Sequence, residues 1–156
     1  MLKTLGILSG LIVLAADQAS KWLILRRVDL PEIRQIVLLP VLNLTMVWNR
    51  GVTFGLFTGP GHWNALILSA VALAVVIGLG IWLTYAESRW TAIALGAIGG
   101  GAIGNIIDRL RFGAVVDFID AHVGIWHWYV FNVADAAIVC GVAALTLDGL
   151  LRRGRG

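Results

Sequence analysis

The chain has 156 residues, of which 59% are hydrophobic and 13% charged, and its net charge is +3. Soluble domains contain about 45–50% apolar and about 25% charged residues, so this composition excludes an ordinary soluble domain and indicates a single membrane-embedded one. The 12 basic residues are scattered and form no basic face for nucleic acid, so we expect membrane lipids with anionic headgroups to supply their counter-charge.

Four apolar segments are long enough to cross a bilayer as helices, which takes about 20 residues. We predict an all-α integral membrane protein with spans at approximately 4–25, 63–85, 90–108 and 131–151. The first segment could instead be a signal peptide. Its apolar pattern resumes after Asp17 and is longer than a typical signal sequence core, so we interpret it as a retained span.

The first link, approximately 26–62, carries a run rich in β-branched and bulky residues from Ile36 to Trp48, broken by Pro40. This pattern predicts one or two short strands, which we expect to form a small extracytoplasmic sheet against the lipid headgroups. A short amphipathic stretch around Phe54 follows. It is either a lid over a site or a simple interfacial anchor, and the sequence leaves both open.

Glycines recur every four residues in the third span, at Gly96, Gly100 and Gly104. Small residues at this spacing predict close helix packing in lipid, although the same face could help to form a groove for substrate. The second link, approximately 109–130, ends in an aromatic cluster typical of a membrane interface. We expect Cys140, the single cysteine, to be a small buried residue of the fourth span.

Four spans place both termini on one side of the membrane and both links on the other. The terminal side carries five basic residues and the link side seven, so the raw count does not favour cytoplasmic termini. The dense tail of Arg152, Arg153 and Arg155 does favour them, because charge close to a span end has the greatest effect.

This topology brings polar residues from five separate regions to one membrane face. They are Asp17, Gln18 and Lys21; Asn49; Asn105, Asp108 and Arg109; Asp117; and Asn132 and Asp135. Asp17 and Lys21 are four residues apart on one helix and can pair; a structural pair and a catalytic role both remain open for them. Asp108 with Arg109 could be an ordinary interfacial ion pair or part of a site.

Asp117 and Asp135 have the weakest structural explanation, because each lies in a mostly apolar run without a basic neighbour. An acid in such a setting is costly unless it has a partner or a task. Two carboxylates can supply both the acid and the base for peptide hydrolysis. The histidines lack metal-ligand spacing and no serine has a nucleophile motif, so we expect neither a metal nor a cofactor.

Two other classes compete with a peptidase. Intramembrane acids also mark ion pathways, so a proton-coupled carrier is the main alternative. A non-enzymatic assembly factor could use the same polar cluster only to hold its helices together. Isosteric Asp→Asn changes separate these classes, because a peptidase would lose cleavage and keep its fold.

Five sequence blocks, in order, resemble the motifs of the bacterial lipoprotein signal peptidases (signal peptidase II). The blocks are Asp17-Gln18-Ala19-Ser20-Lys21, Asn49-Arg50-Gly51-Val52-Thr53-Phe54, Gly101-Ala102-Ile103-Gly104-Asn105-Ile106-Ile107-Asp108-Arg109, Val115-Val116-Asp117-Phe118 and Phe131-Asn132-Val133-Ala134-Asp135. The resemblance covers nearly the whole chain. The chain departs from the family pattern at Val52, Thr53, Tyr129 and Ala136.

The resemblance implies a membrane aspartic endopeptidase that cuts prolipoproteins before a cysteine carrying diacylglyceryl. It implies catalytic roles for Asp117 and Asp135, cytoplasmic termini in the inner membrane, and an active site near the outer leaflet. It also implies supporting or substrate-binding roles at Asp17, Lys21, Asn49, Gly51, Asn105, Asp108, Arg109 and Asn132. We expect the chain to act as a monomer.

Overall fold

The computed structural model describes residues 1–51 and 62–153, so the stretch around Phe54 lies outside the described residues. The helices are α1 (Leu2–Arg26), α2 (Leu30–Ile33), α3 (His62–Thr84), α4 (Arg89–Phe112) and α5 (Val133–Arg153). The strands are β1 (Gln35–Leu39), β2 (Leu42–Asn49), β3 (Val115–Val123) and β4 (Trp126–His127). In this part of the chain, α1, α3, α4 and α5 are long and apolar enough to cross a membrane, which confirms the four predicted spans.

Helix α4 continues one turn beyond its predicted end at residue 108. Its last residue is Phe112, and the capping residue Gly113 has a left-handed φ of 70° and donates its N–H to the carbonyl of Arg109 at 2.9 Å. Glycine tolerates this conformation without a steric penalty. The charges of Asp108 and Arg109 do not end the helix, because Asp108 is buried against a partner from α1.

Helices α1 and α4 run parallel and touch through their glycines. A Cβ added to Gly100 would clash with the carbonyl oxygen of Gly10, and one added to Gly96 would clash with that of Gly6. The predicted close packing is confirmed. The prediction of a substrate groove along this face is wrong, because α1 already fills it.

The extramembrane sheet has four antiparallel strands in the order β1-β2-β3-β4. The prediction of strands in the first link is confirmed, but the second link supplies β3 and β4, which were not predicted. In β3 the side chains alternate between the two faces. Val116 and Phe118 join a core with Ile24 of α1 and Leu30 of α2, and Asp117 therefore faces the other way, toward the helix bundle.

Cys140 is exposed on α5, so its predicted burial is wrong. A membrane span is surrounded by lipid, in which a small apolar side chain is as well solvated on the helix surface as in a core. Burial therefore does not follow from an apolar sequence context here.

Candidate active site

Asp117 is almost fully buried, with 1% of its surface exposed. Two amides hold its carboxylate. Asn49, at the end of β2, donates its Nδ2 to Oδ2 at 3.0 Å, and Asn132 donates its Nδ2 to Oδ1 at 2.7 Å. The pairing of β2 with β3, which sets Val47 opposite Asp117 and Asn49 opposite Val115, brings the first amide to the acid.

Asp135 lies in the first turn of α5 and is held by the residue that precedes the helix. Asn132 accepts the backbone N–H of Asp135 on its Oδ1 at 2.9 Å, and Asp135 accepts the backbone N–H of Asn132 on its Oδ2 at 3.3 Å. This reciprocal arrangement is that of a capping box. The fold of the helix terminus therefore fixes the orientation of both side chains.

A bridge of two asparagines joins the two carboxylates. Asn105 donates its Nδ2 to Oδ1 of Asp135 at 2.8 Å, and its Oδ1 accepts from Nδ2 of Asn132 at 3.2 Å. Asn132 in turn donates to Asp117. The acids of β3 and α5 are thus held as one unit by side chains whose rotamers are fixed at both ends.

Burial and the neighbouring charge raise the pKa of Asp117 to about 7. Burial is the larger cause, because it disfavours the charged carboxylate, and the negative charge of Asp135 adds to it. The amides of Asn49 and Asn132 and the charge of Lys21 oppose the rise in pKa. Near neutral pH, Asp117 can therefore be protonated beside a second carboxyl group, as acid–base catalysis by a carboxylate pair requires.

A buried charge cluster supports this unit from α1. Lys21 is 3% exposed, and its Nζ lies 2.8 Å from Oδ2 of Asp17 and 2.7 Å from Oδ2 of Asp108. The predicted pairing of Asp17 with Lys21 is confirmed. Of the two alternatives left open for Asp108, the structure favours a place in the cluster, because in the described part of the chain its ion pair is with Lys21 and not with Arg109.

The same cluster ties together elements that are distant in sequence. Lys21 also donates to Oδ1 of Asn105 at 3.1 Å, which links it to the asparagine bridge. Asp17 accepts the backbone N–H of Ala134 at 3.0 Å, and Asp108 accepts that of Val116 at 3.1 Å. The two backbone groups directly precede Asp135 and Asp117, so these bonds set the positions of both acids.

The remaining predicted site residues lie around this unit. Gly51 is buried and donates its N–H to Oδ1 of Asn49 at 3.2 Å, which orients the Nδ2 of that amide toward Asp117. Arg109 is partly exposed, and the charges of Asp135, Asp117 and Asp108 act on its guanidinium. The structure therefore gathers all ten predicted site residues in one region, with Arg109 at its accessible side.

Asp120, a second buried acid on the same strand, was not predicted from the sequence. Its carboxylate accepts from Thr45 at 2.9 Å and from Asn43 at 3.4 Å, and lies 2.8 Å from Nδ1 of His127. Burial acts to raise the pKa of Asp120, but these hydrogen bonds, led by that of His127, outweigh it and lower the pKa. Asp120 thus holds β2, β3 and β4 together and is fully engaged in doing so.

Four helices long and apolar enough to cross a membrane, with two carboxyl groups joined by asparagines at one end of the bundle, define a membrane-embedded protein. The chain belongs to the signal peptidase (SPase) II family, whose model matches residues 10–151. It is therefore a protease, a hydrolase acting on peptide bonds.

Named relatives and solved structures agree with this family. The chain is 52% identical to a lipoprotein signal peptidase of Methylorubrum extorquens (strain PA1), covering 93% of this chain and 85% of the relative, and 42% identical to one of Rhodopseudomonas palustris (strain ATCC BAA-98 / CGA009), covering 94% and 92%. A bacterial membrane enzyme solved by the in meso method at 2.3 Å resolution superimposes with a TM-score of 0.81 at 25% identity, covering 96% of this chain and 90% of the other.

Proposed function

We propose that the protein removes the signal peptide from diacylglyceryl-modified prolipoproteins, cutting before the lipid-bearing cysteine, with Asp117 and Asp135 as the catalytic pair. The observation that carries the proposal is the asparagine bridge, because it aligns two carboxylates as one unit at the end of a membrane bundle. The named relatives are lipoprotein signal peptidases, which supports the substrate class.

The reaction needs one proton shared between two acids. Asp117, with its pKa raised to about 7, holds the proton and polarises the scissile carbonyl. Asp135 carries the negative charge, which the first turn of α5 and the donors from Asn105 and Asn132 stabilise. It takes a proton from water as the water attacks the carbonyl carbon. Asp117 or Asp135 then protonates the leaving amine as the tetrahedral intermediate collapses.

Arg109 and Asn49 act on the substrate. The guanidinium of Arg109 is accessible and close to both acids, so it can hold a substrate carbonyl or stabilise the oxyanion. Asn49, oriented by Gly51, positions Asp117 and borders the same space. Asp17, Lys21, Asn105, Asp108 and Asn132 are positioning residues, because their side chains are buried and engaged with one another. The pair supplies both acid and base, so no metal or cofactor takes part.

We infer a location in the bacterial inner membrane with both termini cytoplasmic and the acids near the outer leaflet. An even number of spans places both termini on the same side of the membrane. The basic C-terminal tail indicates that this side is the cytoplasm. The substrate's lipid anchors its scissile bond at the membrane interface, which is also the depth we infer for the carboxylate pair at the starts of β3 and α5. One chain carries every proposed group, so a monomer suffices.

The decisive experiment is cleavage of a diacylglyceryl-modified prolipoprotein by the purified protein and by the variants Asp117→Asn and Asp135→Asn. Asp120→Asn is the matched control, because it removes the charge of a buried acid three residues along the same strand. We expect both pair variants to lose cleavage by at least about 10³-fold, with unchanged helix content. The control should keep cleavage even if its melting temperature falls.

Cleavage that survives in either pair variant would contradict the catalytic assignment and direct attention to Asp17 or Asp108. If the unmodified protein binds the prolipoprotein but cleaves neither its lipidated form nor its unlipidated form, the proposed substrate class is wrong. Proton uptake into vesicles by an uncleaving protein would instead support the carrier.

A further inference from the structure

A cavity of about 210 Å³ is lined by neither Asp117 nor Asp135. It lies between the last turns of α1 and α4 and the end of β2. Its floor is formed by Gln18, Lys21 and Asp108, the outward side of the buried charge cluster. The cavity is therefore separated from the two acids by that cluster, and the proposed reaction makes no use of it.

Two arginines at the cavity wall have no carboxylate partner in the part of the chain that the structure describes. Arg26 and Arg111 are exposed, and each lies in the last turn of its helix. Among the residues that line the cavity, the ion pairs are those of Lys21 with its neighbouring carboxylates. The one carboxylate in the lining, that of Asp108, is already engaged by Lys21, Gln18 and the N–H of Val116.

The other walls are aromatic. Trp22, Trp48 and Phe112 line the cavity, and each is 40% or more exposed. The rings of Trp48 and Phe112 meet edge to face with centroids 5.5 Å apart, and the guanidinium of Arg111 lies 5.0 Å from the ring of Phe112. Exposed tryptophans at the ends of spanning helices mark the depth of the lipid headgroups.

We propose that this cavity binds the phosphate of an acidic phospholipid. Arg26 and Arg111 bind the phosphate oxygens from two helices, since guanidinium groups match phosphate geometry. The tryptophans pack against the glycerol, and the acyl chains run down the exposed apolar surface of α1. A cation in a last helical turn also stabilises the helix dipole, but that role does not explain two unpaired arginines from different helices converging on one cavity.

The test measures binding and thermal stability in micelles of a neutral detergent. Phosphatidylglycerol and phosphatidylcholine with the same acyl chains are titrated separately into the protein. Glycerol phosphate and inorganic phosphate are titrated in the same way. The variant is Arg26→Gln/Arg111→Gln. The matched control is Lys3→Gln/Arg89→Gln, which removes two exposed charges from the opposite ends of the same two helices.

We expect phosphatidylglycerol, and not phosphatidylcholine, to raise the Tm of the unmodified protein and of the control. The arginine variant should bind phosphatidylglycerol about thirtyfold more weakly, the loss that two membrane-surface charges imply. An equal response to both lipids, or an unchanged response in the arginine variant, would overturn the proposal. A shift reproduced by glycerol phosphate alone would show a free-phosphate site and refute the lipid.

If the double variant does not fold, native mass spectrometry of Arg111→Gln decides. If Arg111→Gln retains the same amount of bound phosphatidylglycerol as the unmodified chain, the site is refuted. If Arg111→Gln loses the lipid while the control retains it, the site is supported.

Discussion

Removal of Lys21 should destabilise the protein strongly. Its ammonium group is buried between the carboxylates of Asp17 and Asp108, at 2.8 and 2.7 Å, and also donates to Asn105. The change Lys21→Met keeps most of the side-chain volume and removes only the charge and the donors. Two buried carboxylates then lose their shared cation, and breaking a buried ion pair on one side costs about 3–5 kcal/mol.

The free energy of unfolding can be measured by denaturant titration in mixed micelles, followed by circular dichroism. Lys3→Met is the control, because Lys3 is exposed on the same helix, and it should change stability by less than about 0.5 kcal/mol. The double variant Lys21→Met/Asp108→Asn should be less destabilised than the sum of its two single changes, by about 1 kcal/mol or more.

A loss below about 1 kcal/mol for Lys21→Met, or simple additivity in the double variant, would refute this account of the cluster. Either result would mean that the carboxylates become protonated or solvated in the folded protein without a significant penalty. The distances to Lys21 would then describe proximity without energetic coupling.

Three further predictions follow from the helix contact and from the carboxylate pair. Gly100→Ala should lower the free energy of unfolding by about 1–3 kcal/mol, because the added Cβ would meet the backbone of Gly10. Gly99→Ala should leave the Tm unchanged or raised, because a Cβ there has no neighbour within 4 Å. Equal melting temperatures for the two variants would contradict the packing. Cleavage should fall as pH rises through about 7, when Asp117 loses its proton, with about tenfold loss per further pH unit. Asn49→Ala removes a hydrogen bond that lowers the pKa of Asp117. The maximum value of kcat/KM should therefore fall, and the alkaline limb of its pH profile should move to higher pH. A shift of that limb to lower pH would contradict the assignment.

The helices and the grouping of the polar residues were predictable from sequence. Spans are visible because about 20 successive residues must match the bilayer, and the topology then places their polar ends on one face. Partners within one helix, such as Asp17 and Lys21, were predictable from their spacing, whereas partners on different elements were not. Asp108 pairs with Lys21, 87 positions away, and not with adjacent Arg109, because neighbours on a helix point in different directions.

Strand β3 was missed because its residues look alike on both faces. Val115, Val116, Phe118 and Ile119 are all apolar, so the alternation that marks a half-buried strand is hidden. The available signal for a strand was the pair of acids Asp117 and Asp120. They lie an odd number of positions apart, so in a strand their side chains point to opposite faces of the sheet. The partner of Asp120, His127, lies across a turn and follows only from the strand pairing.

The bond from the N–H of Ala134 to the carboxylate of Asp17 has a consequence for biosynthesis. It joins the first helix to the last one, and the acid it positions, Asp135, is on that last helix. A ribosome synthesises the chain from the N-terminus to the C-terminus, so Asp117 emerges before its partner Asp135. With Asp117 and Asp135 as the proposed pair, the nascent protein would have no activity until its final span has entered the membrane, and would not cleave neighbouring chains beforehand.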